Sequence, residues 1–238
     1  MLDVVFLGGK EIGFQCLCML YDLSEKLNIN IVGIGASKKG KKVIEFSKLH
    51  GLKIIDSIIP ECGIIVSVQY DKILTKSEIK KASIIAVNLH MAPLPEYRGC
   101  NQFTYAILNQ DDIFGVTLHK IVSNVDSGPI LFEDRFTVPK KCWVYELYQY
   151  TYKHAIELFS NSIGLIVSGN YNETDQSDLI QSRSLSFHKR DEINDLKKIN
   201  LDWSKDKIER HIRATSMPGF SQPYIFIGEK KCFFTLYK

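Results

Sequence analysis

Short β-branched runs alternate with segments of helical period through the first half of the chain, and this alternation restricts the fold more than any other feature. Residues 3–7 form an apolar run that ends in Gly8-Gly9. Residues 30–35, 63–68 and 83–87 are three more such runs, rich in Val and Ile. Residues 12–27 and 41–50, which fall between runs, carry apolar residues at helical spacing. A short run without polar alternation suits a strand buried on both faces. Strands that alternate with helices predict a parallel sheet of Rossmann type with helices on both faces.

The pattern changes further on. Residues 115–122 and 129–136 are strand candidates joined by the turn-rich stretch 123–128. Residues 143–167 predict one long helix whose apolar residues form a core stripe. Residues 169–184 are rich in Asn, Ser, Asp and Gln and predict a linker or surface loop. A helix over 205–214 follows, then the breaker Met217-Pro218-Gly219. Two strand-like runs, 224–227 and 231–236, are split by Gly228-Glu229 and predict a β-hairpin. The fold class is therefore α/β, with a Rossmann-like domain over 1–184 and a short C-terminal segment over 185–238 that ends in the hairpin.

Composition narrows the function classes. With 238 residues, 45% of them hydrophobic, the chain can build a core without metal or disulfide staples. Lysines are interspersed with acids and the net charge is only +3, so nothing points to a nucleic-acid partner. The six cysteines include no Cys-x-x-Cys pair and no zinc spacing, which fits reduced, cytoplasmic thiols and no metal site. The N-terminus lacks the basic start and cleavage site of a signal peptide, and no apolar run is long enough to span a membrane.

Two segments carry chemistry. Asn88 and His90 directly follow the 83–87 run, one residue apart. If strand alternation persists, an amide and an imidazole point to the same side just beyond the sheet, where ligands of open α/β sheets bind. Pro93, Pro95 and Gly99 restrict the loop that follows. The second segment is Asp126-Ser127-Gly128-Pro129-Ile130, between the two later strands. Taken alone, Asp126-Ser127-Gly128 is ordinary turn chemistry. His119 alternates with apolar residues and reads as structural.

Asn88-x-His90, the loop Leu94-Pro95-x-Tyr97-Arg98-Gly99 and Asp126-Ser127-Gly128-Pro129-Ile130 together resemble the motifs of the folate-dependent formyltransferases, in that family's order. A weaker similarity continues through Lys189-Arg190 and Leu201-Asp202-Trp203 to Arg213-Ala214. Met91-Ala92-Pro93 and Cys100-Asn101-Gln102-Phe103 are similar to the branch that N-formylates amino sugars on nucleotide carriers.

The resemblance implies 10-formyltetrahydrofolate as formyl donor and a dTDP-linked amino-dideoxysugar as acceptor, in O-antigen or other surface-polysaccharide synthesis. The nearest look is to the bacterial enzymes for dTDP-4-amino-4,6-dideoxyglucose, with the 3-amino isomers next. It implies that Asn88 donates to the developing oxyanion, that His90 takes the amine proton, and that Asp126 orients His90 or relays the proton. Gln69, Tyr70, Met91 and Leu94 would border the folate. Lys10, Lys189 and Arg190 would approach the phosphates, with Arg98 and Gln102 near the sugar. Lys189-Arg190 is equally a solvated basic pair.

Three other readings stay open. In a methionyl-tRNA formyltransferase the C-terminal domain would be larger and more basic; residues 186–238 here hold 11 Lys/Arg against 7 Asp/Glu. A glycinamide ribonucleotide formyltransferase would carry a Gly/Ser/Asn-rich phosphate loop that this N-terminus lacks. A non-catalytic folate- or nucleotide-binding module would have no need of Asn88, His90 and Asp126 together. The aromatic hairpin, with Phe226, Phe233 and Phe234, leads us to expect a homodimer.

Overall fold

The computed structural model, which describes residues 1–56 and 58–234, turns each of the four early runs into a strand of one sheet. The first part of the chain runs β1 (Leu2–Gly8), α1 (Lys10–Asp22), β2 (Ile29–Ala36), α2 (Lys41–Leu49), β3 (Cys62–Val68), α3 (Lys76–Ile79) and β4 (Ala82–His90). Next come β5 (Arg98–Gly99), α4 (Gln102–Asn109), β6 (Ile113–Lys120), β7 (Ile130–Thr137) and α5 (Val144–Val167). The remainder holds α6 (Gln176–Leu179), β8 (Phe187–His188), a 3-10 turn (Arg190–Glu192), α7 (Ile193–Leu196), α8 (Lys205–Thr215), β9 (Tyr224–Ile227) and β10 (Lys230–Phe233).

The main sheet has the order β2-β1-β3-β4-β6-β7. Strands β2, β1, β3 and β4 are parallel, whereas β4–β6 and β6–β7 pair antiparallel. The chain leaves β1 toward β2 on one side and later returns to place β3 on the other. That reversal opens a crevice at the carboxyl ends of β1 and β3.

Alternation along each strand separates two cores. Val4, Phe6, Ile64, Val66, Val87, Leu89, Val116 and Leu118 face α1 and α5, where Phe159 and Leu17 are also fully buried. Burying a side chain of this size contributes about 1.5–3 kcal/mol. Val5, Leu7, Ile65 and Ala86 face the other way, against Ile59, Leu74 and the partly buried Ile55 and Ile79. No long helix covers this second face among the described residues; Ile55, Ile59, Leu74 and the single turn of α3 pack on it. The expectation of helices on both faces thus holds in full on one side only. The thin cover matters, because this face carries the site.

The 169–184 stretch is not a free linker. Thr174 bridges to Ile130, and Gln176 in α6 is only 1% exposed. The C-terminal segment also packs on the main body. Thr104 of α4 donates to the Ala214 carbonyl at the end of α8, and β8 pairs with β5. The hairpin forms as expected, with Lys230 opposite Ile227, although the end of its second predicted strand (residues 235–236) lies outside the described residues.

Candidate active site

Strand β4 extends past the 83–87 run and ends at His90, so strand geometry holds through Asn88 and His90. Val87 and Leu89 enter the helix-side core. Asn88 and His90 therefore project onto the thinly covered face. Antiparallel pairing places Asn88 opposite His119, and His90 opposite Thr117. Residues directly opposite share a face, which brings His119 into the site.

The imidazole of His90 is held at one end. Its Nε2 lies 2.7 Å from the Tyr97 carbonyl oxygen. A carbonyl only accepts, so Nε2 carries the proton and the lone pair of the neutral ring sits on Nδ1. That nitrogen lies 3.7 Å from Asp126 Oδ2, too far for a committed hydrogen bond. The Nδ1 lone pair is therefore free to accept a proton. Tyr97 is itself anchored: its hydroxyl donates to Asp111 and accepts from Asn109.

His119 is fixed the opposite way. Its Nδ1–H donates to the Lys120 carbonyl at 2.9 Å. Its Nε2 is 3.2 Å from Asn88 Nδ2 and 3.4 Å from Asp126 Oδ1. In the neutral ring Nε2 accepts one amide hydrogen of Asn88, stands beside the Asp126 carboxylate without a hydrogen bond to it, and leaves the second amide hydrogen of Asn88 free to donate elsewhere. Reading His119 as purely structural was incomplete, since its alternation with apolar residues is the signature of the site face as well as of the core.

Asp126 adopts a left-handed φ of 50°, a conformation Asp tolerates better than most residues. Its Oδ2 accepts the Gly99 N–H at 2.9 Å. Burial pushes its carboxyl up, but the imidazoles of His90 and His119 beside it, whenever they carry a proton's charge, and the Gly99 N–H outweigh burial and hold it well below the usual carboxylate range. Gly99 is required there: its φ is +85°, and a Cβ would sit 2.4 Å from the His188 carbonyl oxygen. Gln176 locks the Asp126 loop from behind. Its amide donates to the Asp126 and Gly128 carbonyls at 2.9 and 2.7 Å, and its oxygen accepts from Arg98 at 2.8 and 3.0 Å. Arg183, also from the supposed linker, donates to the Leu94 carbonyl and to Glu133.

Beside this loop opens a cavity of about 620 Å³ lined by Arg98, Ser123, Asn124, Val125, Ser127 and 185–187. Ligand pockets are typically about 300–1,000 Å³. The cavity holds both the arginine and the loop that carries Asp126.

A second pole lies at the β1–β3 crevice. A Cβ on Gly9 would meet Ser37 Oγ at 1.8 Å and the Gln69 carbonyl oxygen at 2.8 Å, so only glycine lets these strand ends converge. Lys10 and Gln69 both adopt left-handed φ, 55° and 53°, and Lys10 Nζ donates to Gln69 Oε1 at 2.6 Å. Such strain in non-glycine residues concentrates at functional sites. Burial lowers the Lys10 ammonium pKa, and the nearby charges of Lys39 and Arg190 lower it further. Asn101 holds the Lys189–Arg190 backbone over this pole through a 2.7 Å bond to the Lys189 carbonyl. Lys10, Lys39, Lys189 and Arg190 have no carboxylate partner among the described residues.

The structure thus gathers Asn88, His90 and Asp126 at one pole and Lys10, Gln69 and Arg190 at the other. Tyr70 packs into the second core beside Gln69. Met91 and Leu94 are buried, Met91 within the helix-side core, so their side chains hold the loop in place. Gln102 opens α4 and is half-buried. Among the described residues no helix is long and apolar enough to cross a membrane, and no cluster of His, Cys, Asp and Glu is arranged to hold a metal.

Residues 25–163 match the family described as Formyl transferase. The bifunctional polymyxin resistance protein ArnA of Wigglesworthia glossinidia brevipalpis is 29% identical over 96% of this chain and 36% of its own length. The GDP-perosamine N-formyltransferase of Brucella melitensis is 28% identical over 70% of this chain and 61% of its own. Methionyl-tRNA formyltransferases match at 24–27% identity. The chain therefore spans only 36–61% of the length of the first of these curated relatives. Among solved structures, the N-formyltransferase of Helicobacter canadensis, crystallised with folinic acid and dTDP-3-aminofucose, superposes with a TM-score of 0.79 at 22% identity. That superposition covers 97% of this chain and 86% of the other.

Proposed function

The chain belongs to the formyl transferase family, and from that premise we propose that it transfers a formyl group from 10-formyltetrahydrofolate to the amino group of a dTDP-linked amino-dideoxysugar. The first candidate acceptor is dTDP-4-amino-4,6-dideoxyglucose; the 3-amino isomers come second. The pathway would be O-antigen or other surface-polysaccharide synthesis. One observation carries the reading: a buried proton-transfer constellation and a set of unpaired cations share one edge of the sheet. The first suits acyl transfer to an amine, and the second suits an acceptor that bears phosphates.

In this reading the folate lies against the Gln69–Tyr70 turn and the 91–94 segment beyond the strand ends, and Arg98, in the wall of the Asp126-loop cavity, lies toward the sugar. The folate supplies the formyl group. Asn88 presents its free amide N–H to the oxygen that gains negative charge as the amine adds to the formyl carbon; such a donor contributes about 100- to 1,000-fold in rate. Nδ1 of His90 takes the proton released by the amine, and that proton passes to the folate nitrogen as its bond to the formyl carbon breaks. Once protonated, the imidazole gains a charge-assisted contact with Asp126, which stabilises the imidazolium and keeps the ring in place. Lys10, Lys189 and Arg190 hold the diphosphate, and Gln102 lies toward the sugar. We further propose a homodimer built around the hairpin, where Phe226, Ile227 and Phe233 are each at least half exposed. Sedimentation should give the dimer mass at micromolar concentration; a monomer there refutes this assembly.

The test of the activity is a mass-spectrometric transfer assay. The protein is offered 10-formyltetrahydrofolate with dTDP-4-amino-4,6-dideoxyglucose, its 3-amino counterpart, glycinamide ribonucleotide and methionyl-tRNA in parallel. A formyl-mass gain on one dTDP-sugar supports the reading and fixes the amine position. A gain on the ribonucleotide or the tRNA alone overturns the acceptor assignment.

A further inference from the structure

Lys39 is one of the unpaired cations around Lys10, and its position links the basic pole to a side chain far away in sequence. Its carbonyl accepts the Lys10 N–H at 3.1 Å, and its own N–H donates to Ser37 Oγ at 3.2 Å, so the turn between β2 and α2 is pinned to the start of α1. From that turn the Lys39 ammonium reaches to 5.3 Å from the centroid of the Phe220 ring, within cation–π range.

Phe220 needs an explanation. The residue is 57% exposed, yet its backbone is tightly organised. The loop turns at Gly219, whose φ is +78°. The Phe220 N–H donates to the Met217 carbonyl at 3.2 Å, and the Gln222 amide donates to both the Met217 and Phe220 carbonyls. Met217 packs on the core cluster beneath α4. A well-anchored loop therefore presents an aromatic ring to solvent at the edge of a cation cluster.

In a nucleoside diphosphate, a ribose separates a multiply charged diphosphate from a planar base. A recognition site for it needs cations and, one ribose away, a flat apolar surface. We propose that Phe220 is the platform on which the base of a nucleoside diphosphate stacks, with Lys39 spanning the space between that base and the phosphates held by Lys10 and Arg190. This inference rests on the sugar-nucleotide reading above and assigns its base-proximal end. The platform contacts only the face of a ring, so it tolerates different bases; base identity must be read elsewhere.

Calorimetric titration of the full chain with dTDP and, separately, with inorganic pyrophosphate tests it. Phe220→Ala should weaken dTDP binding about 5- to 150-fold, the range for loss of one base–aromatic stack, and leave pyrophosphate binding unchanged. Phe220→Tyr, which keeps the ring, should bind both as the wild type does. Lys39→Ala should weaken both ligands. If Phe220→Ala binds dTDP as well as the wild type, the platform is wrong and the sugar-nucleotide reading survives. Equal loss of dTDP and pyrophosphate in Phe220→Ala also overturns the platform, because the change then acts on the cation cluster. If the wild type binds neither ligand, the sugar-nucleotide reading fails and the inference with it.

Discussion

The two poles of the site are built on opposite principles. At the β4–β6 end every polar group faces another: His90 meets Tyr97 and Asp126, His119 meets Lys120, Asn88 and Asp126, and Asp126 meets Gly99. His90 and His119 are 6% and 2% exposed. At the β1–β3 end the cations lie without acidic partners among the described residues, and burial, helped by the charges of Lys39 and Arg190, depresses Lys10. A group that must hand over a proton at a set position gains from a rigid, mutually fixed shell. A group that must hold a charged ligand gains from being left unpaired until the ligand arrives, because the attraction is then not already spent inside the protein. The difference teaches where to look for each kind of failure. Damage at the first pole should appear in rate, and damage at the second in affinity.

The largest effect should come from His90→Ala. Without its proton acceptor, turnover should fall about 100- to 10,000-fold, while nucleotide binding at the cation pole stays near that of the wild type. Paired kinetic and calorimetric measurements check this; a comparable loss of binding would mean that the poles are not separable. Asn88→Ala should lower turnover by about 100- to 1,000-fold through the missing oxyanion donor. Steady-state kinetics with kcat resolved from KM decides it, and an effect confined to KM would move Asn88 from rate to affinity.

Stability effects are smaller and sharpen the comparison. Gln176→Ala leaves two loop carbonyls and the Arg98 fork without their partner, so it should destabilise the protein by about 1–3 kcal/mol. Thermal unfolding should show a Tm lower by about 2–10 °C. An unchanged Tm would return the 169–184 stretch to the status of a linker. The smallest effect is on pH dependence. The folded-state pKa of Asp126 is depressed, so its carboxylate contributes stability above the unfolded value of about 3.9. That contribution is lost as pH falls below it. The gap in urea midpoint between wild type and Asp126→Asn should therefore be widest near neutrality and shrink below about pH 4. A gap that widens on acidification contradicts the ion-pair account.

The sheet strands, the long helix and the hairpin were legible because each rests on local periodicity and turn chemistry. Asn88, His90 and Asp126 were legible because they sit at strand ends within motifs. His119 was not, because its role depends on the β4–β6 register that sets it opposite Asn88, and register is not written in either strand alone. Gln176 and Arg183 were hidden by polar neighbours that mimic a linker. Their function lies in long-range bonds to Arg98, Gly128 and Glu133. Lys39 and Phe220 were invisible for a similar reason: a lysine in a turn and a phenylalanine after Pro-Gly acquire meaning only when the fold brings them together.

The most direct test of the division between poles is a crossed measurement on two variants, His90→Ala and Arg190→Ala, each scored for single-turnover formyl transfer at saturating acceptor and for dTDP dissociation constant. The account predicts that His90→Ala loses rate and keeps affinity, while Arg190→Ala loses affinity and, once saturated, keeps rate. If both variants lose rate and affinity together, the two poles act as one unit, and the assignment of proton transfer to one and phosphate binding to the other is wrong.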